Sequence, residues 1–337
     1  MVSRWKRDEF FAKIDDMDTA DLKRTLWTLY YRGAGPVRLR IEELVEPKLK
    51  VERQRAEQKA PAASDVLTEV RDFASLARAG SYLAGDRRVS PKERSRWRFT
   101  FRRLVKEAQS ALNGTDVKVA GEALSIMVDL ACEAEGTDYF RSDDPVEAAG
   151  FVVSDALTMY WSKVRQEFGM DSMLKLAVGH LLRWESPYGW TRRGFGRVAE
   201  KETSLANALA GFLTIPDHWE TVASYYLDEL DQLADAPPRR RQHFSVGYTD
   251  RGQALADWHR LLLEQLTGSQ NEELLDRVAM HPALGGPEHT YFQARLAKER
   301  DDLDAAARLI QESLKSLPGS PKFKQFAEEL AALPPQP

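Results

Sequence analysis

The strongest constraint on this 337-residue chain is the recurrence of helix start and stop signals with almost no strand pattern between them. Apolar residues return at helical spacing along the whole sequence, whereas alternating β-branched runs are nearly absent. Pro91 and Pro145 follow Ser90 and Asp144, two residues that cap helices well, and stand where a first helical turn would begin. The sequence therefore predicts an all-α fold.

The predicted helices divide the chain into three regions. Residues 1–46 predict a small N-terminal helical module, in which Gly33 ends one helix and Pro36 lies in the first turn of the next. Residues 47–63 are rich in charged side chains and poor in apolar anchors, so they predict a charged linker. Residues 64–333 predict a helical-repeat-like domain in which short connections join antiparallel helices.

Predicted helix starts in the third region recur roughly fifty residues apart, a spacing near that of helix-pair repeats. These starts are Ser64, Asp116, Asp171 and Asp217. We therefore expect an antiparallel helix-pair array, similar to α-solenoids of the HEAT or tetratricopeptide type. One long helix is predicted from Ser64 to a stop at Gly85, and another from Asp144 through Phe168.

The C-terminal segment carries small residues where two packed helices would approach closely. Ala294, Ala306 and Ser313 are the small residues, and the neighbouring positions of the pattern are Tyr291, Phe292, Ile310 and Pro318. On these positions, residues 290–323 resemble a single tetratricopeptide repeat, about a tenth of the chain. The match departs at Thr290 and Gln293, where that family has an aromatic residue and a leucine. The resemblance implies helix-pair stacking and a tendency to bind peptides or proteins.

Charge and cysteine content restrict the compartment and the class of partner. The net charge is −4, which argues against a surface that attracts polyanions everywhere. Cys132 is the single cysteine, so no intrachain disulfide can form, and we expect it to be a packing residue. No signal-peptide-like stretch and no run of about 18 apolar residues occurs. We expect a soluble cytoplasmic protein with no membrane partner.

The sequence contains none of the common motifs for catalysis or cofactor binding. Phosphate-binding loops, dinucleotide fingerprints, metal-binding His-Glu helices and nucleophile elbows are all absent. The six histidines are never three or four residues apart, so none forms a local metal-binding pair. We expect no cofactor and no metal ion. An enzyme could still assemble a site from distant residues such as Asp143, His180 and Arg192. The neighbouring Asp144 is better explained as a helix cap, because it stands directly before Pro145.

The sharpest charge signal is a basic stripe from Arg87 to Lys106, with nine positive side chains and one negative, a net charge of +8. Trp97 and Phe101 share one helical face and are predicted to pack inward. The candidate binding residues on the outer face are Arg94, Arg98, Arg102 and Arg103. Three interpretations stay open: a solvated face paired with acidic neighbours, a docking surface for an acidic protein, or a contact with nucleic-acid phosphates.

A second unusual segment combines glycines and a proline with aromatic and arginine side chains. Its candidate partner-binding residues are Trp184, Tyr188, Trp190, Arg192, Arg193, Phe195 and Arg197. Such side chains dominate interface hot spots, yet they can equally pin a long ordered loop onto the helices. A third basic cluster, Arg239 to Arg241 with His243, lies in a predicted connection between helices.

These observations favour a non-enzymatic helical-repeat scaffold or adaptor that binds a protein partner, such as an acidic one, through a groove with arginine and aromatic anchors. The alternative is a nucleic-acid-associated protein that uses the basic stripe. An enzyme with a site assembled from distant residues is the third hypothesis.

Overall fold

The fold is seen in a computed structural model. It describes residues 6–46, 60–83, 88–186, 188–235 and 251–333. Within these ranges the regular elements are 17 helices that pack against one another, so the predicted all-α fold is confirmed. An isolated parallel bridge between Tyr82 and Phe140 is the single extended pairing in the described ranges.

Some of the sequence predictions fall outside the described residues. They concern most of the predicted linker and parts of the basic and aromatic segments. The positions are 47–59, Gly85, Arg87, Pro187, Arg239 to Arg241 and His243.

Three helices form the N-terminal module: α1 (Arg7–Asp15), α2 (Thr19–Arg32) and α3 (Gly35–Val45). As predicted, Gly33 follows the last residue of α2, and a proline lies in the first turn of α3. The Tyr30 hydroxyl donates to Glu42 Oε1 at 2.6 Å and ties the last two helices together. No residue of α1 or α2 is buried, and α3 connects the module to the rest of the chain by packing against the helix at residues 153–168.

Six helices make up the central part of the chain. They are α4 (Ala63–Arg78), α5 (Pro91–Ala111), α6 (Val117–Gly136), α7 (Pro145–Ala149), α8 (Val153–Phe168) and α9 (Met170–Trp184). At the start of α5, the Glu93 amide donates to the Ser90 hydroxyl at 3.3 Å, and the Ser90 amide donates to Glu93 Oε2 at 3.1 Å. This capping box satisfies two N–H groups that the first turn leaves unpaired. Asp144 caps α7, as its position before Pro145 predicts.

The two long helices predicted in this part are wrong in their lengths. The first ends at Arg78, because Gly80 takes a left-handed conformation with φ +75° soon after the helix. The second is two helices, because Gly150 adopts φ +66° and ends α7 before α8 begins. Helical apolar spacing continues across both glycines, so it suggested one uninterrupted helix in each case.

Eight further helices follow in the described ranges. They are α10 (Leu205–Ala210), α11 (Pro216–Asp235), α12 (Arg251–Ala254), α13 (Ala256–Leu266), α14 (Glu273–Ala279), α15 (Gly286–Glu299), α16 (Leu303–Ser316) and α17 (Pro321–Ala331). Of all the helices described, none has both the length and the apolar character needed to cross a membrane.

Two hydrophobic clusters stabilise the described helices. The larger one runs from α4 to α15 and includes the fully buried Trp161 and Trp258. The smaller one joins α15, α16 and α17 through Ala294, Ile310 and Phe323. Small buried residues thus lie where the last helices meet, as expected for closely packed helix pairs. The tetratricopeptide resemblance and the repeat character of the array stay predictions.

Helix α6 packs very closely against α8 at Gly121. A Cβ atom at this position would overlap the Tyr160 ring. Gly179 in α9 offers a matched comparison, since a Cβ atom there would meet nothing within 4 Å.

We expect Gly121→Ala to lower the free energy of unfolding by about 1–3 kcal/mol, because the added methyl group overpacks the contact with Tyr160. Gly179→Ala should instead raise it by about 0.5–1 kcal/mol, because alanine favours the helix more than glycine does. Urea unfolding of the two variants measures both effects. Stabilisation of the same size in both variants would contradict the close approach of α6 and α8.

Two histidines are buried in the core as neutral rings. The Trp161 indole N–H donates to His180 Nδ1 at 3.1 Å, and His259 Nε2 lies 2.8 Å from the Tyr226 hydroxyl. Burial lowers the pKa of both histidines from 6.5 to about 3. Glu185 shows the opposite effect, because burial raises the pKa of its carboxyl to about 7.

The contribution of these two histidines to stability should therefore fall as the pH drops below 6.5. The unfolded chain binds a proton at each histidine there, while the folded chain does so only near pH 3. Each histidine lowers the free energy of unfolding by about 1.4 kcal/mol per pH unit, and Glu185 offsets one of the two between pH 7 and 4.5. Urea unfolding at pH 7, 6 and 5 measures the slope. A His259→Gln variant with an unchanged slope would contradict the assignment.

Candidate functional site

Residues 184–197, here called the aromatic loop, begin at the last residue of α9, and two tryptophans hold the segment on the helices. Both Trp184 and Trp190 are buried. The Trp184 indole N–H donates to Asp129 Oδ1 at 2.8 Å, and the Trp190 indole N–H donates to the Trp184 carbonyl at 3.0 Å. Because both indoles are enclosed and hydrogen-bonded, neither side chain can contact a partner in this conformation.

Arg192 binds the C-terminal end of α6. Its guanidinium donates to the carbonyls of Ala134 at 2.8 Å and Thr137 at 2.7 Å, and to Asp138 Oδ1 at 2.8 Å. The last carbonyls of a helix lack partners within the helix and carry partial negative charge, so a cation is favourable there. Arg192 therefore fastens the loop to the end of a helix.

Glu147 in α7 holds the far end of the loop through backbone contacts. Its carboxylate accepts hydrogen bonds from the Arg197 amide at 3.0 Å and the Val198 amide at 2.9 Å. Gly196 has φ +128°, and a Cβ atom there would lie 2.6 Å from the Glu147 carboxyl carbon. Only glycine fits this approach without displacement.

Four of the seven candidates in the loop keep an exposed side chain. Tyr188 and Phe195 are 66% and 67% exposed. Arg197 is exposed, and the exposed Arg193 pairs with Asp143 Oδ2 at 2.8 Å. The loop is thus pinned by Trp184, Trp190 and Arg192, and it presents two aromatic and two basic side chains to solvent.

The different roles of Arg192 and Arg193 can be measured. We expect Arg192→Ala to lower the free energy of unfolding by about 2 kcal/mol, because buried carbonyls at the end of α6 lose charged donors. Arg193→Ala should cost less than about 0.5 kcal/mol, because both members of its ion pair are exposed. Urea unfolding compares the two variants. Equal losses would contradict the role of Arg192 as a helix-end ligand.

The stripe from Lys92 to Lys106 lies on α5, and the structure divides its candidate residues. Arg103 pairs with Glu69 and with Glu107, at 2.8 Å for the latter, and these carboxylates raise its pKa. Arg102 donates from Nε to the Ala149 carbonyl at 2.9 Å, at the C-terminal end of α7. Both side chains therefore serve internal contacts, Arg103 with carboxylates and Arg102 with backbone carbonyls.

Arg94 and Arg98 line a cleft of about 440 Å³ that we call the basic cleft. It lies between the first turns of α5 and the segment that follows α6. Its lining residues are Tyr82, Leu83, Pro91, Arg94, Ser95, Trp97, Arg98, Arg141, Ser142 and Ala148. No carboxylate occurs among these described residues. Within the described part of the chain, Arg98 and Arg141 make no ion pair, and Arg98 lies 5.0 Å from the centre of the Phe99 ring.

An aromatic contact brings Arg141 to α5. Phe140 stacks on Trp97 with ring centres 4.2 Å apart, and the backbone of Phe140 is bridged to Tyr82. Sequence reasoning missed Tyr82, Arg141 and Ser142 as site residues. The aromatic pair before Arg141 signals burial beside a charge, but no sequence feature shows that this segment meets Trp97.

A second cavity, the polar pocket, has a volume of about 470 Å³ and lies between the aromatic loop and α12, α13, α15 and α17. Four carboxylates line it: Glu185, Glu202, Asp257 and Glu288. Burial raises the pKa of Glu202 as well as that of Glu185. Glu288 is buried and pairs with Lys322 at 2.7 Å.

The carboxylates of the polar pocket already have structural partners. Glu185 accepts from the Ala206 amide at 2.8 Å at the start of α10. Glu202 accepts from the amides of Val153 at 2.6 Å and Ser154 at 3.0 Å at the start of α8. Both side chains thus cap helices, which accounts for buried carboxylates at this place without any reaction.

The residues considered for an enzyme lie in separate surroundings. Asp143 is exposed and pairs with Arg193, His180 is buried beside Trp161, and Arg192 binds the end of α6. Burial raises the pKa of the Cys132 thiol, so a thiolate is disfavoured. Across the described ranges, no cluster of three or more histidine, cysteine or acidic residues is arranged to hold a metal ion.

No family model, no curated protein and no solved structure matches this chain.

Proposed function

We propose that this chain is a helical scaffold that binds an acidic segment of a protein partner in the basic cleft. The observation that carries the proposal is the pair Arg98 and Arg141, two exposed guanidinium groups from different elements that line one cleft whose described lining residues include no carboxylate. Arginine clusters of this kind recognise carboxylate and phosphate groups on peptides. Complementary charge would give such a contact its specificity and a fast association rate.

Several features favour a protein partner over nucleic acid. Single-stranded nucleic acid needs exposed aromatic rings for base stacking, but Trp97 and Phe101 are buried in the core and only Phe99 of this group is half-exposed. Arg102 and Arg103 are occupied by internal contacts, which shortens the row of cations that could follow a phosphate backbone.

The exposed part of the aromatic loop extends the proposed surface. The ion pair between Arg193 and Asp143 joins the loop to the segment that supplies Arg141 to the cleft. A peptide that crosses the cleft could therefore also contact Phe195, whose ring is exposed. Aromatic and arginine side chains in such a position are the usual anchors of a protein interface.

A fluorescein-labelled hexaglutamate peptide tests the proposal by fluorescence anisotropy. We expect binding at low salt that weakens as salt screens the charges. Arg98→Glu and Arg141→Glu should each weaken binding at least about tenfold, a loss of roughly 1.4 kcal/mol. Arg308→Glu, the same charge change at an exposed residue of α16, should leave the affinity within about twofold, because α16 does not line the cleft.

Two results would overturn the proposal. One is the absence of peptide binding to the wild-type chain at low salt. The other is binding of a single-stranded oligonucleotide that requires Arg98 and Arg141, together with no binding of the hexaglutamate peptide. That result would favour nucleic acid as the partner.

A further inference from the structure

Besides its arginines, the basic cleft is lined by two residues with uncharged hydrogen-bond donors, Trp97 and Ser142. Trp97 is 4% exposed, yet its indole N–H makes no hydrogen bond within the described part of the chain. The hydroxyl of Ser142, another lining residue, also has no side-chain hydrogen bond to a described residue. An indole N–H can only donate, and a hydroxyl can donate as well. A ligand with several acceptor oxygens would suit these donors together with the arginines of the cleft.

The positive charge of the basic cleft suits a phosphate group and a carboxylate group to different degrees. One carboxylate carries a single negative charge and two oxygens, which one arginine can satisfy through paired hydrogen bonds. A phosphate monoester carries a charge of about −1.5 to −2 at neutral pH and three acceptor oxygens. Arg98 and Arg141 together supply two positive charges from two directions, and Arg94 lines the same wall. A phosphate dianion matches this lining better than a single carboxylate does.

Two described acidic residues near the cleft, Glu93 and Asp143, have other partners. Glu93 stands at the start of the same helix, but its carboxylate accepts from the Ser90 amide at 3.1 Å and from the Ser90 hydroxyl at 2.6 Å. These hydrogen bonds lower the pKa of Glu93 and direct its charge to the cap of α5. Asp143 is paired with Arg193, and neither carboxylate lines the cleft.

We infer that the basic cleft binds a phosphorylated side chain of the partner protein. This inference rests on the proposed function and makes it more specific. The guanidinium groups of Arg98 and Arg141 bind the phosphate oxygens, the Trp97 indole N–H and the Ser142 hydroxyl donate to the same group, and the rest of the segment runs along the exposed face of the aromatic loop.

Isothermal titration with three short peptides tests the inference, namely acetyl-Gly-Gly-X-Gly-Gly-amide in which X is phosphoserine, glutamate or serine. We expect the phosphoserine peptide to bind at least about tenfold more tightly than the glutamate peptide, which is roughly 1.4 kcal/mol. The serine peptide should not bind. Arg98→Gln and Arg141→Gln should each weaken the phosphoserine peptide at least about fivefold, while Arg308→Gln leaves it unchanged. These arginines are exposed, so the variants should fold.

The pH dependence gives a second readout. The second pKa of a phosphate monoester is about 6, so lowering the pH from 7.5 to 5.5 converts the ligand to a monoanion and should weaken its binding. The glutamate peptide keeps its charge in this range and should bind with nearly constant affinity.

The possible outcomes separate the inference from the proposed function. Equal affinity for phosphoserine and glutamate peptides, with both dependent on Arg98, would overturn the phosphate site and leave the acidic-segment proposal standing. The inference would also be overturned if Arg98→Gln and Arg141→Gln bind the phosphoserine peptide as tightly as the wild-type chain does. Inorganic phosphate that binds as tightly as the phosphoserine peptide would identify free phosphate as the ligand and overturn the peptide assignment. Failure of hexaglutamate to bind counts against the proposed function itself.

Discussion

Stacking of Phe140 on Trp97 is the contact on which the basic cleft depends. The rings lie 4.2 Å apart at an angle of 21°, and Phe73 packs against the same phenylalanine. Aromatic pairs of this kind contribute about 0.5–1.5 kcal/mol beyond the burial of their surface. Because side chains alternate along an extended segment, burying Phe140 turns Arg141 away from the core and toward the cleft. One aromatic contact thus places a charge from a distant segment beside Arg98.

The same fold uses charged side chains to complete its helices. Arg102 and Arg192 bind carbonyls at the ends of α7 and α6, and Glu185 and Glu202 bind amides at the starts of α10 and α8. Each interaction places a charge where the helix ends leave backbone groups unpaired. A run of basic residues in the sequence therefore overstates the positive charge that the surface offers to a partner. At the basic cleft, Arg98 is a residue of the stripe that makes no ion pair with a described carboxylate.

The local signals in the sequence predicted the helices well and their interruptions poorly. The capping box of Ser90 and Glu93 and the cap at Asp144 act within one turn, so the residues that form them are visible in the sequence. The breaks at Gly80 and Gly150 require a left-handed backbone, which glycine permits but does not impose. Packing of the segment that follows each glycine decides whether the left-handed conformation forms. Apolar spacing continued across both positions and therefore predicted helices that are too long.

For the candidate site, the sequence by itself determined the residue types: a basic stripe on one helix and an arginine-rich aromatic loop. It also determined that Trp97 and Phe101 share a face, because that follows from helical geometry alone. Only the tertiary structure decided which arginines are consumed at helix ends and which line the basic cleft. Arg141 joins Arg98 through the meeting of Phe140 with Trp97, two residues more than forty positions apart. Contacts over such separations depend on how whole helices pack, and the spacing of residues in the sequence does not show which segments will pack together.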